Sequence, residues 1–360
     1  MASLELKEKV ITEDIAARND LYSERDLQID HIIESADAGI TADDFQWISS
    51  NNRDEIEPLD SPFKGLANLH RINDLKRINK YFEKVNQNLN HGEYFLINLE
   101  TMRSRKKRLL NKYNRLIRWP YYSLDFILKR VFPKWKPTMK IYFWLTNGRN
   151  RVISLAESLG RLVSCGFEIV HYEKLGHRTW ILTKKVSEPV YDMEPTYGPI
   201  VKLNRVGKNG KKFKVYKLRT MHPYSEYIQD YLFERNSLQT GGKIKNDFRL
   251  TGWGRIFRRF WIDEIPMLWN WLKRDVKMVG VRPLSNHYYS LYPEDIKELR
   301  TTVKPGLIPP FYADMPETLD EIVESERNYI LAYQKNPIRT DVRYFLKSCF
   351  NIIFKGHRSR

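Results

Sequence analysis

The sequence predicts an α/β protein in more than one module, and three observations carry that reading. Helical and strand periodicities alternate after residue 60. The 360 residues exceed one compact domain, with 42% hydrophobic and 13% aromatic content to build cores. The charge is also split along the chain. Residues 1–60 hold 5 Lys/Arg against 16 Asp/Glu, a net of −11, so the other 300 carry +28 of the overall +17. A surface that basic suits an anionic partner: nucleic acid, phospholipid head groups or phosphorylated metabolites.

Residues 1–60 are read as an acidic N-terminal segment, loosely ordered or packed separately, with a polar run at Ser49–Asp54. The opening MASLELKEKVITED lacks the apolar core of a signal peptide. No window reaches the ~18–20 uninterrupted apolar residues of a spanning helix. The greasiest stretches, Tyr121–Phe132 and Tyr344–Phe354, are broken by charge. Cys165 and Cys349 sit in apolar surroundings and are read as buried thiols without metal spacing.

Residues 61–195 form the next module. Leu75, Ile78, Phe82, Val85 and Leu89 fall at helical spacing, and Asn90-His-Gly stops that helix. Glu93–Leu99 reads as a strand and Ser154–Cys165 as a helix ended by Gly166. Phe167–Val170 and Thr179–Thr183 then pair antiparallel around Leu175-Gly176. This order, with Ile72–Phe82 followed by Asn90–Phe95, resembles the second half of a class I methyltransferase, a half-Rossmann-like module. No glycine-rich turn follows an upstream strand, so the first half is absent from this reading and S-adenosylmethionine is not expected to bind.

Between them, residues 101–118 carry eight basic residues and no acid: Arg103, Arg105, Lys106, Lys107, Arg108, Lys112, Arg115 and Arg118. Trp119, Tyr121, Tyr122, Phe126, Phe132 and Trp135 follow. The mixture suits an anionic membrane surface. An ordinary solvated helix face followed by core aromatics fits equally, and single-stranded nucleic acid fits less well. Charge reversal at Arg105, Lys106 and Arg108 is expected to weaken membrane binding without unfolding. In the C-terminal run, Phe345, Cys349, Ile352 and Ile353 share a helical face, with Lys347, Lys355, Arg358 and Arg360 as basic partners.

Pro189–Pro199 reads as a linker into the last module, residues 196–360. That module opens on a basic hairpin: a strand from Arg205, a turn at Asn209-Gly210 and a return strand Phe213–Arg219. Asp247–Arg255 (DFRLTGWGR) leads into Ile256–Leu272, where Asp263 and Glu264 stand adjacent inside an apolar run. Two carboxylates there need a partner or a metal. Pro266 favours a helix start that would put the pair at a positive helix end and lower the Asp263 pKa. A buried Arg–Asp pair with a helix cap is the plainer alternative. Val276, Met278 and Val279 suit a strand closed by Gly280 and Arg282-Pro283, and Lys304–Pro310 is a rigid loop.

Taken in order, these segments closely resemble the bacterial sugar transferase family, the monotopic phosphoglycosyl transferases, over about residues 199–354. The resemblance implies an α/β catalytic domain after the half-Rossmann-like module. It implies a nucleotide diphosphate-sugar donor, a polyprenyl phosphate acceptor and Mg²⁺. Asp263 would be the nucleophile and Glu264 its partner, both near the metal. Arg205, Lys217, Arg219, Arg249, Arg258 and Arg282 would bind substrate phosphates. The reaction would pass through a covalent aspartyl phosphosugar and start exopolysaccharide, O-antigen or other glycoconjugate assembly. The chain would sit peripherally on the cytoplasmic face of a bacterial inner membrane, with possible polysaccharide-assembly partners and no nucleic acid.

The sequence departs from the family pattern at Leu203, at Met267, at Gly280-Val-Arg-Pro283 and at Ile308-Pro309; a late family acid finds its counterpart in Glu326. The usual preceding membrane helix is replaced by the polar module. A catalytically silent scaffold of a polysaccharide-assembly complex is the alternative reading.

Overall fold

A computed structural model describes residues 29–191, 197–235, 238–239, 243–244, 247–284 and 286–354. The chain divides into two compact units. Unit 1 comprises residues up to Tyr197 together with Pro223–Tyr231, and unit 2 comprises Gly198–His222 and the chain from Leu232.

Unit 1 is built on a five-stranded sheet ordered β1-β2-β3-β5-β4, with β1 Phe45–Ile48, β2 Gly65–Arg71, β3 Tyr94–Leu99, β4 Phe167–Leu175 and β5 Arg178–Lys185. β1, β2 and β3 run parallel; β5 is antiparallel to both β3 and β4. The expected antiparallel β4–β5 hairpin is present, turning at Gly176-His177, one residue on from the expected Leu175-Gly176. Helical residues 29–35 (α1) place Ile29, Ile32 and Ile33 against Phe45, Ala67, Leu96, Trp180 and Leu182. α2 (Ile78–Asn88) buries Ile78, Tyr81, Phe82 and Val85 on one stripe, and Phe82 meets Phe95 edge-on at 6.0 Å.

Two expectations are corrected here. The described part of the acidic segment does not stand apart, because α1 and β1 supply the sheet's first strand and part of its core. Two parallel strands also precede β3, so the upstream portion of the sheet is not missing. Both strands were overlooked because β1 has only four residues and β2, buried continuously over Gly65–Asn68, shows no alternation.

The crossover from β3 to β4 contains α3 (Met102–Lys112), α4 (Arg118–Phe126), a π-helical turn at Ile127–Val131, α5 (Lys136–Thr146) and α6 (Leu155–Ser164). α6 is capped by the Ser154 hydroxyl, which accepts from the Glu157 N–H at 3.2 Å. Arg105 is not a surface charge: it is 4% exposed, and its Nε and NH2 each donate to the Asp125 carboxylate at 2.7 Å. Arg108 likewise forks the buried Glu100 carboxylate at 2.6 and 3.1 Å. The expectation that both could be reversed without unfolding is therefore corrected.

Pro223–Tyr231, expected in the last module, belongs to unit 1. There the Tyr224 hydroxyl accepts from Asn79 Nδ2 at 2.9 Å, and the Arg161 guanidinium lies 4.5 Å over its ring.

Unit 2 opens with the antiparallel hairpin of β6 (Ile200–Val206) and β7 (Lys212–Leu218), in which Arg205 faces Phe213. After α7 (Gln229–Arg235) and the short pair β8 (Leu238–Gln239) and β9 (Lys243–Ile244) come α8 (Gly252–Arg259) and α9 (Met267–Leu272). β10 (Lys277–Val279) runs parallel to β11 (Gly306–Ile308). Helices α10 (Asn286–Ser290), α11 (Glu294–Thr301), α12 (Phe311–Asp314), α13 (Leu319–Lys335) and α14 (Pro337–Phe354) complete the unit.

Val279, Val281, Val303, Tyr329 and Ile330 form one core cluster of this unit. In α14, Asn351 is buried and donates to the Tyr312 and Ala313 carbonyls, while Ile338, Val342, Leu346 and Ile353 are exposed. The exposed apolar face thus differs from the expected one: Ile352 is largely covered, and Lys347 pairs with Asp314 at 3.0 Å. Lys355, Arg358 and Arg360 lie outside the described residues. No described helix is long and apolar enough to cross a membrane.

Candidate active site

The carboxylate pair sits where two helices are joined by a tight reversal. α8 starts at Thr251, whose hydroxyl accepts from the Gly254 N–H and donates to the Thr220 carbonyl, both at 3.0 Å. A Cβ on Gly254 would lie 2.1 Å from that same carbonyl, so the Thr-Gly-Trp-Gly sequence lets α8 lie directly on the chain after β7. α8 is capped by Phe260, and the next residue, Trp261, takes φ 53, ψ 18, a left-handed conformation uncommon for a bulky residue. Tyr312 holds it there. Its hydroxyl accepts from Trp261 Nε1 at 3.1 Å, and the rings meet edge-on at 5.6 Å. The reversal throws Ile262–Glu264 into a single 3-10 turn carrying both acids, immediately before α9.

Asn270 on α9 fixes this turn against the hairpin. It is fully buried; its Oδ1 accepts from the Tyr216 N–H at 3.0 Å, and its Nδ2 donates to the Lys214 carbonyl at 2.8 Å and to Asp275 at 3.1 Å. The register so imposed brings Lys217 of β7 to the dyad, with its Nζ 2.5 Å from Glu264 Oε1.

Asp263 is 8% exposed. Burial raises its carboxyl above the ordinary carboxylate range, and the neighbouring Glu264 adds to this, while Lys217 and Arg258 oppose it. The expectation of a lowered pKa is corrected. α9 is only six residues long, and desolvation outweighs any field from its end. Burial, with the same two carboxylates adding to it, pushes the Tyr312 phenol up to about 12.

The candidate phosphate-binding residues fall into two groups. Lys217 and Arg258 act electrostatically on Asp263 and Arg282 on Tyr312, while burial, and after it the like charge of Arg282, lowers Arg205. Arg258 Nε donates to Thr220 Oγ1 at 3.0 Å rather than to Asp263 directly. Arg282 lies 5.9 Å over the Phe311 ring. The other two are engaged locally. Arg249 forks the Asp247 carboxylate at 2.8–3.1 Å, and Arg219 donates through Nε to the Gly198 carbonyl at 2.9 Å.

Behind Arg282, the backbone is set by two close approaches. The Gly306 N–H donates to the Val281 carbonyl at 3.0 Å, and a Cβ on Gly306 would lie 2.1 Å from Gly280 N. Arg300 NH2 donates to the Arg282 carbonyl at 2.5 Å, and its NH1 pairs with the buried Glu326. Glu326 is therefore a structural partner of the Arg282 loop through Arg300, whose guanidinium burial brings down to about 10.

Asp263 and Glu264 are adjacent hard oxygen donors, the kind of ligand that divalent ions take, and Glu264 already holds the Lys217 ammonium. The described residues contain no group of three or more His, Cys, Asp or Glu side chains placed to hold a metal ion.

Asn270, Tyr312 and Thr220 carry this arrangement, and the sequence reading assigned them no role. The one available signal was Asn270, an amide in the apolar run Met267–Leu272 where an unpartnered polar group is costly.

Comparison with known proteins bears on unit 2. The family described as bacterial sugar transferase matches residues 190–355. A galactosyl transferase (CpsE) of Streptococcus agalactiae is 37% identical over 139 residues, 37% of this chain and 30% of that protein. An undecaprenyl-phosphate galactose phosphotransferase of Salmonella typhimurium is 35% identical over 108 residues, 29% of this chain and 22% of that protein. The chain thus spans a third or less of the length of these two relatives. A SAM-dependent methyltransferase structure from Thermotoga maritima aligns over 37% of this chain and 61% of its own, at 10% identity and a TM-score of 0.21, too low to carry an argument. The dyad, the arginines and the Lys-Pro-Gly loop all lie inside residues 190–355, the span of this chain that matches the bacterial sugar transferase family.

Proposed function

We propose that unit 2 transfers a sugar-1-phosphate from a nucleotide diphosphate-sugar to a polyprenyl phosphate, opening the assembly of a surface polysaccharide or related glycoconjugate. The observation that carries this reading is the Asp263–Glu264 turn, one acid buried and the other paired with Lys217, with Arg258 and Arg282 in its electrostatic surroundings.

Asp263 attacks the sugar-bearing phosphorus of the donor. The phosphoanhydride bond breaks, its electron pair leaves with the nucleoside monophosphate, and an aspartyl phosphosugar remains. An oxygen of the polyprenyl phosphate then attacks the same phosphorus and releases the Asp263 carboxylate. A carboxyl pKa above the ordinary range makes Asp263 a stronger nucleophile once ionised, and Lys217 and Arg258 favour that ionised form beside Glu264. Arg282 and Arg205 serve the diphosphate, where planar guanidinium groups bind oxyanions bidentately. A divalent ion such as Mg²⁺, held by Glu264 and Asp263, would supply neutralising charge for the departing phosphate.

The enzyme is placed peripherally on the cytoplasmic face of the inner membrane. Supporting this, the protein exposes Trp269, Trp271 and Leu272 on α9, beside the dyad and next to the basic pair Lys273-Arg274. Release of nucleoside monophosphate across a panel of nucleotide-sugars, with and without polyprenyl phosphate, tests the assignment. Turnover on one donor that rises with acceptor is expected. No release from any donor would favour the silent scaffold.

A further inference from the structure

We propose that the crossover helices of unit 1, residues 113–146, form a lipid-docking element that lies in the surface of an anionic bilayer. This deepens the membrane placement proposed for unit 2, but it stands on a different part of the chain and on a measurement that needs neither donor nor acceptor.

The first observation is apolar exposure without a covering element. Leu116 is 84% exposed, Trp144 82% and Leu145 68%, and Trp119, Trp135 and Ile141 are about half-exposed, at 49–57%. On α5 the split is by face. Tyr142 is buried, and its hydroxyl donates to the Arg149 carbonyl at 2.8 Å, while Ile141, Trp144 and Leu145 point away at i, i+3 and i+4. Isolated exposed apolar residues are ordinary, but a run of large ones, three of them tryptophan, marks an interaction surface.

The second observation is charge. Residues 101–151 hold fifteen Lys/Arg and a single acid, Asp125, which is buried against Arg105; Arg105, Arg108, Arg130 and Lys134 are held by Asp125, Glu100 and Glu157, which leaves eleven other basic residues. No acid of this stretch therefore reaches the surface. Lys106 lies 5.1 Å over the Trp119 ring, joining a cation to an interfacial aromatic.

The third is length. α4 has nine residues and α5 eleven, separated by the π-helical turn and Pro133, so neither can cross a hydrocarbon core of about 30 Å. Short amphipathic helices with tryptophan at the boundary and basic residues alongside lie flat in the interface.

A lipid surface matches all three. A second copy of the same face would bring like charge against like. Nucleic acid would use the cations and the aromatic rings but leave Leu116, Ile141 and Leu145 without apolar contact.

The test is co-sedimentation of the full chain with vesicles of equimolar phosphatidylglycerol and phosphatidylcholine, against phosphatidylcholine alone. Binding to the anionic vesicles is expected, with the triple variant Ile141→Ser, Trp144→Ser, Leu145→Ser weakened about a hundredfold. The double variant Leu116→Ser, Trp119→Ser should show a smaller loss. All five positions are exposed, so thermal melting should not change; a lowered Tm in one variant is resolved by the other. Wild-type binding to the anionic vesicles that both variants retain overturns the proposal. So does a monomer-forming effect of the triple variant in sedimentation velocity with vesicle binding intact, since a second copy would then be the occupant. Loss of donor turnover in Asp263→Asn bears on the reaction alone and leaves this vesicle result untouched.

Discussion

Replacing Asn270 by alanine removes three hydrogen bonds from a fully buried side chain: from the Tyr216 N–H at 3.0 Å, to the Lys214 carbonyl at 2.8 Å and to Asp275 at 3.1 Å. Two of the abandoned groups belong to the β7 backbone and have no side-chain substitute. At about 1 kcal/mol net per bond, with the added cost of leaving buried groups unpaired, Asn270→Ala should destabilise unit 2 by about 2–4 kcal/mol. Asn270→Asp sharpens the test. It keeps the acceptor for Tyr216 but sets a carboxylate against the Lys214 carbonyl and Asp275. The new acid would have a folded pKa above its unfolded value. Its penalty is therefore full at neutral pH and disappears as pH falls below about 4, the unfolded carboxyl range. Urea unfolding at neutral and acid pH measures both. Because β7 carries Lys217 and the loop before α9 carries Glu264, any folded Asn270→Ala protein should also lose kcat more than it gains KM. A loss below about 1 kcal/mol, or equal pH dependence for the two variants, would refute the claim that this amide sets the register of the site.

Lys217→Met removes a charge that lowers the Asp263 pKa, so the acid limb of the kcat/KM profile should move to higher pH; an unmoved limb contradicts the electrostatic assignment. Gly306→Ala puts a methyl 2.1 Å from Gly280 N and should destabilise by roughly 1–3 kcal/mol in chemical denaturation, whereas Gly198→Ala, facing open space, should not. Arg105→Glu leaves Asp125 buried beside a second acid and should cost about 3–5 kcal/mol of unit 1 stability, seen as a lowered thermal midpoint; a fully stable variant would remove the buried-pair reading.

What could be read in the sequence was local. The strand at Glu93–Leu99, the Ser154-capped helix and the β4–β5 hairpin each carry their own signals: alternation, a cap or a two-residue turn. The dyad and the basic hairpin were visible as residues in order. Their mutual placement was not, because Asn270, Thr220 and Tyr312 act across long stretches of chain, 54 residues separating Asn270 from Tyr216. Charge was the most misleading signal. Arg105 and Arg108 look like surface cations until Asp125 and Glu100, 20 and 8 residues away, fold onto them. The acids of residues 29–60 likewise obscured Ile29, Ile32, Ile33 and Phe45, which pack beneath the sheet. The Asp263 pKa was misjudged for a related reason. A helix start is a local feature, whereas the burial that governs the carboxyl depends on the whole reversal at Trp261.

The central claim is that Asp263 forms a bond to the phosphosugar. Incubating the full chain with donor nucleotide-sugar and Mg²⁺ in the absence of polyprenyl phosphate, followed by intact-mass and peptide analysis after rapid acid quench, tests it directly. The account predicts a sugar-phosphate adduct on the peptide containing Asp263, discharged by added acceptor and absent from Asp263→Asn. Nucleoside monophosphate release without any such adduct, or an adduct that persists in Asp263→Asn, would contradict it.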